Sequence, residues 1–180
     1  VYTYVCELTK KHQGINSQIY NSSLISFAIY FDEIGNNEKT DQLLFESYTN
    51  LKNNINKTTI TTYFFVIDIL GMRFGNQLKF KESQEFYNES LELKKQYFGE
   101  SSIEYTKSLI NLGISYSQQS DYSKSRFFFE KVLSINKNLN FENIDNYTIA
   151  LQGLITGYSF EGRYDLSEKY LHELIKINKL

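Results

Sequence analysis

The chain of 180 residues has no proline and no tryptophan, and only one cysteine and one methionine. Without proline, no residue removes an amide donor from the middle of a helix, and turns must be built from Gly, Asn, Asp and Ser. That favours an all-helical chain. The single cysteine, Cys6, excludes an internal disulfide and any site built on several thiolates, and a reducing, cytoplasmic setting is the simplest expectation. No run approaches the roughly 18 consecutive apolar residues of a membrane span. The most apolar stretch, YFFVIDILGM from Tyr63, is interrupted by Asp68. Neither sign of charge dominates, the formal net charge being −2. The concentrated basic face that neutralises phosphates is missing, so neither nucleic acid nor a membrane is an expected partner. The pairs Lys10-Lys11 and Lys94-Lys95 read as solvated helix faces. The opening VYTYVCELTKK has no initiating Met and no basic-then-apolar order of a secretory signal, which leads us to expect a segment of a longer chain. Four Asn-x-Ser/Thr sequons, at Asn21, Asn56, Asn88 and Asn146, are expected by chance in a chain this rich in Asn and Ser.

What is present is a repeat. Aromatic residues make up 16% of the chain, almost all Tyr and Phe, and they recur in register. At an offset of 42, Tyr105, Leu109, Leu112, Tyr116, Tyr122, Ser125, Phe129, Leu133 and Asn136 fall on Tyr147, Leu151, Leu154, Tyr158, Tyr164, Ser167, Leu171, Ile175 and Asn178. The same step backwards reaches Tyr63, Ile67, Leu70, Gly71, Phe74, Phe80, Ser83, Tyr87 and Leu91. A further step of 43 reaches Phe27, Ala28, Phe31, Gly35, Thr40 and Leu44, with Asn37 where an aromatic is expected. Four units result, the first degenerate. The expected divisions are 1–20, a second helix of a preceding unit plus linker, then 21–56, 57–98, 99–140 and 141–180.

Spacings of i, i+3, i+7 within Leu109, Leu112, Tyr116, and of i, i+3, i+7, i+11 from Tyr122 to Leu133, predict two amphipathic helices per unit. Polar breaks at Gln118 to Asp121, at FEGR from Phe160 and at DEIGNN from Asp32 make each pair an antiparallel hairpin. Gly35 and Gly162 supply the permissive backbone, and Asp121 is a suitable N-cap. Between units, YFGESSIE ends one helix at Gly99 and offers Ser101-x-x-Glu104 as a capping box for the next. The stretch TTITTYFFVIDIL is rich in β-branched residues and would read as a strand in isolation; its register in the repeat predicts a helix. A final helix is expected over Leu166 to Leu180, apolar at Leu171, Leu174, Ile175 and Ile177 and uncapped. Such a solenoid end tends to pair with something.

The small residues explain themselves once the helices are paired. Gly113, Gly71 and Ala28 lie where a partner helix must approach closely, Ser125, Ser83, Ser167 and Thr40 lie opposite, and Tyr116, Phe74 and Tyr158 fill the space beside the crossing. A unit this small cannot bury its apolar face alone, so units must stack.

The order Gly113-Tyr116-Ser120-Tyr122-Ser125-Phe129, repeated as Leu154-Tyr158-Gly162-Tyr164-Ser167-Leu171, resembles the tetratricopeptide (TPR) repeat. The common TPR period is 34 residues; the period of 42 is similar to that of the kinesin-light-chain type. Three features depart from the pattern: Ile155 replaces the small residue in the last unit, Lys137 stands where many repeats place Pro, and the first unit is loose. The resemblance implies an all-α, TPR-like α-solenoid, a right-handed superhelix of antiparallel helix pairs, with a concave groove lined by the first helix of each pair. The groove slots map to Ser22, Ile25, Ile29, Asp32 and Glu33; Phe65, Asp68, Met72 and Asn76; Lys107, Ile110, Ile114 and Gln118; and Ile149, Gln152, Thr156, Ser159 and Phe160. Where some relatives hold a carboxylate with a Lys/Asn/Arg clamp, this chain has Asp68, Ile69 and Asn111, so a clamp is not expected. Apolar anchors beside amides suit an extended or helical peptide, and Asp32, Glu33 and Asp68 lead to the expectation of some positive charge on it.

No constellation asks for chemistry. His12 and His172 stand on polar stretches without ligand spacing, Cys6 shares an apolar face with Val5 and Leu8, and GMRFG at Gly71 lacks the pattern of a phosphate loop. No catalytic residue, metal or cofactor is expected. The resulting expectation is a non-catalytic scaffold for a protein or peptide, with self-association through the last helix. The alternatives are a regulatory or sensor TPR segment of a larger signalling enzyme (protease, kinase or transcription regulator) and a structural spacer.

Overall fold

The structure, a computed structural model, describes residues 2–138 and 144–177, the side chains of residues 2, 3 and 138 excepted. Among the described residues there are nine helices and no strand: α1 Tyr2–Gln13, α2 Gln18–Glu33, α3 Asn37–Lys52, α4 Ile60–Asn76, α5 Phe80–Phe98, α6 Ile103–Gln118, α7 Tyr122–Asn138, α8 Ile144–Phe160 and α9 Tyr164–Ile177. The chain divides into two compact units, Val1–Leu70 and Gly71–Leu180, the division falling inside α4. In the first, α2 packs against α1 and α3. In the second, α6 packs against α5, α7 and α8, and α8 also against α7 and α9. Asn178 and the expected end of the last helix lie outside the described residues.

The β-branched stretch is helical, as its register predicts. Ile60, Tyr63, Phe64, Ile67 and Leu70 share one buried stripe of α4, and burial along that stripe outweighs the local preference of Thr, Val and Ile for strands. Each hairpin turns in the same way. Backbone amides at Asn36, Lys79, Asp121 and Arg163 donate to the carbonyls of Phe31, Phe74, Tyr116 and Tyr158, at 2.8, 2.9, 3.0 and 2.9 Å. This is a Schellman closure, and it requires a left-handed residue just before each of those amides. Gly35 (φ +76°) and Gly162 (φ +72°) meet that need at no steric cost, whereas Ser120 (φ 61°) and Leu78 (φ 60°) do not. Leu78 is 75% exposed, so its side chain offers little packing in return. Replacing it with glycine is expected to raise unfolding stability by about 1 kcal/mol. A urea melt with an unmoved or lowered midpoint would show that Leu78 is not strained.

Caps follow the sequence with one shift. Asp121 accepts the amide of Lys124 at 3.1 Å, as expected of an N-cap. Gly99 ends α5 with φ +83°. The cap of α6, however, is Ser102 and not Ser101: Ser102 Oγ accepts from Tyr105 N at 3.1 Å while its own backbone stays extended. The same local arrangement of Gly, Ser and Tyr appears at Gly14, Ser17 and Tyr20 ahead of α2.

The helix crossings carry more than small size. Thr40, Ser83, Ser125 and Ser167 each donate a side-chain hydroxyl to the carbonyl twelve residues earlier on the facing helix, at Ala28 (3.4 Å), Gly71 (2.7 Å), Gly113 (2.8 Å) and Ile155 (3.2 Å). A hydroxyl on a short stem both permits the approach and satisfies its own donor in the core. Beside three of these crossings lie near-parallel ring pairs, Phe74 with Phe86, Tyr116 with Phe128 and Tyr158 with Tyr170, at centroid distances of 5.6, 5.5 and 5.8 Å.

A second recurring device uses buried tyrosines at the start of the first helices. Tyr20 donates its hydroxyl to Glu46 Oε1 at 2.6 Å, and Tyr147 donates to Glu173. At the same slot Tyr105 instead accepts from Lys131 Nζ at 2.7 Å, and Lys131 lies 3.9 Å from Glu100.

Candidate functional site

The expected groove residues fall into separate groups. In the first unit, α2 and α4 enclose a cleft of about 370 Å³ lined by Ser22, Ile25, Ser26, Thr61, Thr62 and Phe65. Phe65 is exposed there, while Ile25 is buried and offers only its edge. Ile29 and Asp32 are exposed further along α2, and Asp68 is half-buried on α4. None of these three borders the cleft.

In the second unit, α6 and α8 form a cleft of about 270 Å³ lined by Ile114, Ser117, Gln118, Phe129, Ile149, Gln152, Gly153 and Thr156. Ile114, Gln118, Gln152 and Thr156, which are far apart in sequence, thus meet on one surface. Met72 and Asn76 are exposed on the last turns of α4. A Cβ built on the intervening Gly75 would lie 3.4 Å from Gln118 Oε1, so that end of α4 runs close to α6.

Three expected residues sit differently. Ile110 belongs to the core cluster with Leu109, Phe129 and Leu151 and cannot serve as an exposed contact; its place on α6 faces α7 and α8 rather than solvent. Phe160 is 70% exposed but lies outside the cleft, its ring stacked on Tyr122 at 5.1 Å and 3°. Lys107 is exposed near the start of α6, also outside the cleft lining.

The floor of the second cleft was not anticipated. Phe129 projects from α7 between two glycines, and a Cβ on Gly113 or Gly153 would lie 2.9 or 2.2 Å from its ring. A lone glycine inside an apolar helical pattern is a sequence signal of close approach, and Gly153 carried it. In the preceding hairpin Tyr87 takes the place of Phe129, 2.5 Å from a Cβ built on Gly71.

The electrostatics of the cleft are simple, because no charged side chain lines it. Charges pair elsewhere: Arg126 with Glu161, Lys124 with Asp121 at 2.9 Å, and Lys95 with Glu100 at 2.5 Å. Arg126 also lies over the Tyr158 ring at 4.8 Å, and its aliphatic stem covers Gly157. The hydrogen bonds that Lys124 donates to Asp121 hold that carboxyl below its ordinary range. Burial, and then the charge of Glu46, push the Cys6 thiol up, opposite to what a nucleophile needs. Among the described residues no group of three or more His, Cys, Asp or Glu could hold a metal ion. No helix there is long and apolar enough to cross a membrane.

With this geometry in hand, similarity to known proteins becomes specific. Residues 74–138 match the tetratricopeptide-repeat family model, and they span the Gly113–Ser125 crossing and two of the hairpin turns. That stretch is a tetratricopeptide-repeat segment. The whole chain is similar in fold to the crystal structure of BtubC (BKLC) from P. vanneervenii, at 17% identity and TM-score 0.79, covering 99% of this chain and 78% of that one. It is also similar to a kinesin-light-chain-type protein of Podosopora anserina with nearly identical TPR-like repeats, at 12% identity and TM-score 0.80, covering 98% of this chain and 83% of that one. No curated protein is significantly similar to it in sequence. The fold is thus an all-α, TPR-like solenoid.

Proposed function

We propose that this chain is a non-catalytic interaction scaffold that holds a polypeptide partner on the face formed by α6 and α8. TPR proteins generally serve as protein-interaction scaffolds, and one observation carries the finer reading. Ile114 and Gln118 of α6 and Gln152 and Thr156 of α8 line one open cleft with apolar walls and amide rims. That mixture suits a peptide held by side-chain anchors and main-chain hydrogen bonds. The test is capture of partners from the cells of origin by the full chain and by an Ile114→Asp/Gln118→Glu variant, with circular dichroism as a control of folding. Both positions are exposed, so the fold should survive. Loss of the captured partner by about tenfold or more is expected, equivalent to ~1.4 kcal/mol. Equal capture by the folded variant would rule this cleft out.

We also infer that α9 associates with a second surface in solution. Phe129 and Leu133 on α7 are 1% and 5% exposed, but Leu171 and Ile175 in the same slots of α9 are 43% and 42% exposed. Light scattering is expected to show mass rising with concentration, and Leu171→Glu/Ile175→Glu to abolish the rise. A constant monomer mass would end this reading.

A further inference from the structure

The second helix α7 shows what such a helix packs against in this chain. It lies against both α6 and α8, buries Phe129, Val132 and Leu133, and supplies the floor of the cleft whose walls those two first helices form. α1 stands in the position of a second helix, because Gly14, Ser17 and Tyr20, which lead from it into α2, repeat Gly99, Ser102 and Tyr105, which lead from α5 into α6. Among the described residues, however, α1 packs against α2 alone, and none of its side chains is buried. A cleft of about 670 Å³ results, with Val5 and Cys6 of α1 as its floor and Ile19, Ser22 and Ser26 of α2 in its one wall. Its lip is aliphatic, Leu8 being 42% and Ile19 53% exposed. The second wall that α6 gives the other cleft is a helix antiparallel to the floor, and it has no counterpart here among the described residues.

α9 has the complementary deficit. It packs against α8 alone among the described residues, buries only Ser167 there, and exposes Tyr164, Leu171 and Ile175 as a stripe at i, i+7, i+11. Charge gives the two helices a direction. Asp165 and Glu168 lie in the first turns of α9 and Lys176 in its last, whereas α1 carries Glu7 before Lys10, Lys11 and His12 in its last turn. Laid antiparallel, the acidic start of α9 meets the basic end of α1, and Lys176 comes to the half of α1 that holds Glu7. Laid parallel, like charges would face each other. Glu168 also meets His172 at 3.5 Å and Lys10 lies over the Tyr20 ring at 5.9 Å, surface contacts that leave both charged ends exposed. The other charges of α9 are turned off the stripe, Glu173 accepting the Tyr147 hydroxyl and Lys169 lying over the Tyr170 ring at 5.7 Å.

Resting on the inference above that α9 associates with a second surface, we propose that this surface is the α1/α2 cleft of a second copy of the chain. α9 of one copy lies antiparallel along α1 of the next, with Leu171 and Ile175 over Val5, Leu8 and Ile19, and with Asp165 and Glu168 beside Lys10 and Lys11. At 1.5 Å per residue the 14 residues of α9 and the 12 of α1 make helices about 21 and 18 Å long, so the two stripes run side by side for their whole length. Each junction uses one surface of each copy and leaves the other free. The association therefore propagates head to tail instead of stopping at a two-fold dimer. A contact made by one short helix falls at the low end of specific interfaces, roughly 1,200 Å² or less, which sets its Kd at about tens of micromolar or weaker.

Sedimentation equilibrium of the full chain, between about 10 and 500 µM, tests this with two variants, Leu171→Glu/Ile175→Glu and Leu8→Glu/Ile19→Glu. All four positions are exposed, and circular dichroism controls for folding. The parent chain is expected to pass the mass of a dimer, and each variant alone to stay monomeric. Their equimolar mixture should form dimers and nothing larger, since it retains one intact pair of surfaces. Lys11→Glu should weaken the association of the parent by about threefold or more, and Glu168→Lys added to it should restore part of the loss. A folded Leu8→Glu/Ile19→Glu variant that associates as the parent does, or a mixture that stays monomeric, would overturn the cleft as the surface α9 meets and leave the association of α9 standing. If that variant loses its helical signal the charge pair decides, and an unchanged Kd for Lys11→Glu would overturn the proposal. A parent chain that is monomeric throughout the range would overturn both.

Discussion

Phe129→Ala is expected to lower unfolding stability by about 3–5 kcal/mol, because it empties the centre of the packed second unit. The ring is 1% exposed and touches α6 and α8 at their glycines. The reciprocal change, Gly113→Ile, should cost about 1–3 kcal/mol by overpacking, since even its Cβ would stand 2.9 Å from the ring. The last hairpin supplies the internal control. There the slot of Gly113 holds Ile155 and the slot of Phe129 holds Leu171, so bulk has moved from one helix to the other. Gly113→Ile/Phe129→Leu should therefore be more stable than the sum of its single variants by more than about 0.5 kcal/mol, the usual limit of additivity for independent sites. Urea midpoints followed by circular dichroism measure this. Simple additivity would show that the two positions do not share one space.

Raising the pH should unfold the chain through its buried tyrosines. Burial first, then the hydrogen bond and the charge of Glu46, push the Tyr20 hydroxyl well above its ordinary range; burial and Glu173 do the same for Tyr147. A folded-state pKa raised above the unfolded value contributes stability that is fully present below the unfolded value, about 10 for tyrosine, and is lost as pH climbs towards the folded one. Tm is expected to hold steady up to about pH 9–10 and then to fall, with tyrosinate absorbance appearing together with unfolding. Tyr147→Phe should cost about 1 kcal/mol at neutral pH, and its deficit against the parent chain should shrink above about pH 10. A parent Tm that is flat into strong alkali would contradict the assignment.

Periodicity made most of the fold legible. The spacing of Leu109, Leu112 and Tyr116, and its echo 42 residues on, was enough to infer paired helices, their close crossings and even the helix in TTITTYFFVIDIL. The candidate site was legible in part. Ile114, Gln118, Gln152 and Thr156 were assignable from their slots, but the same slot logic put Ile110 on the surface. A helical slot gives a direction around one axis, and how far a neighbouring helix covers that direction depends on the neighbour. Gly153 brings α8 close to Phe129, and the core closes over Ile110.

By itself, the sequence determined the helical architecture, the register of the hairpins and the absence of an evident chemical motif, because these follow from local backbone preference and from which residues recur. Only the tertiary structure decided which of Ser101 and Ser102 caps α6, that Leu78 and Ser120 adopt the left-handed turn, and that the serines at the crossings donate to facing carbonyls. It also decided that no charged side chain lines either cleft, Asp32 and Asp68 sharing helices with residues of the cleft between α2 and α4 yet lying outside it. Those outcomes depend on distances between helices, and such distances are set by the side chains of both partners at once.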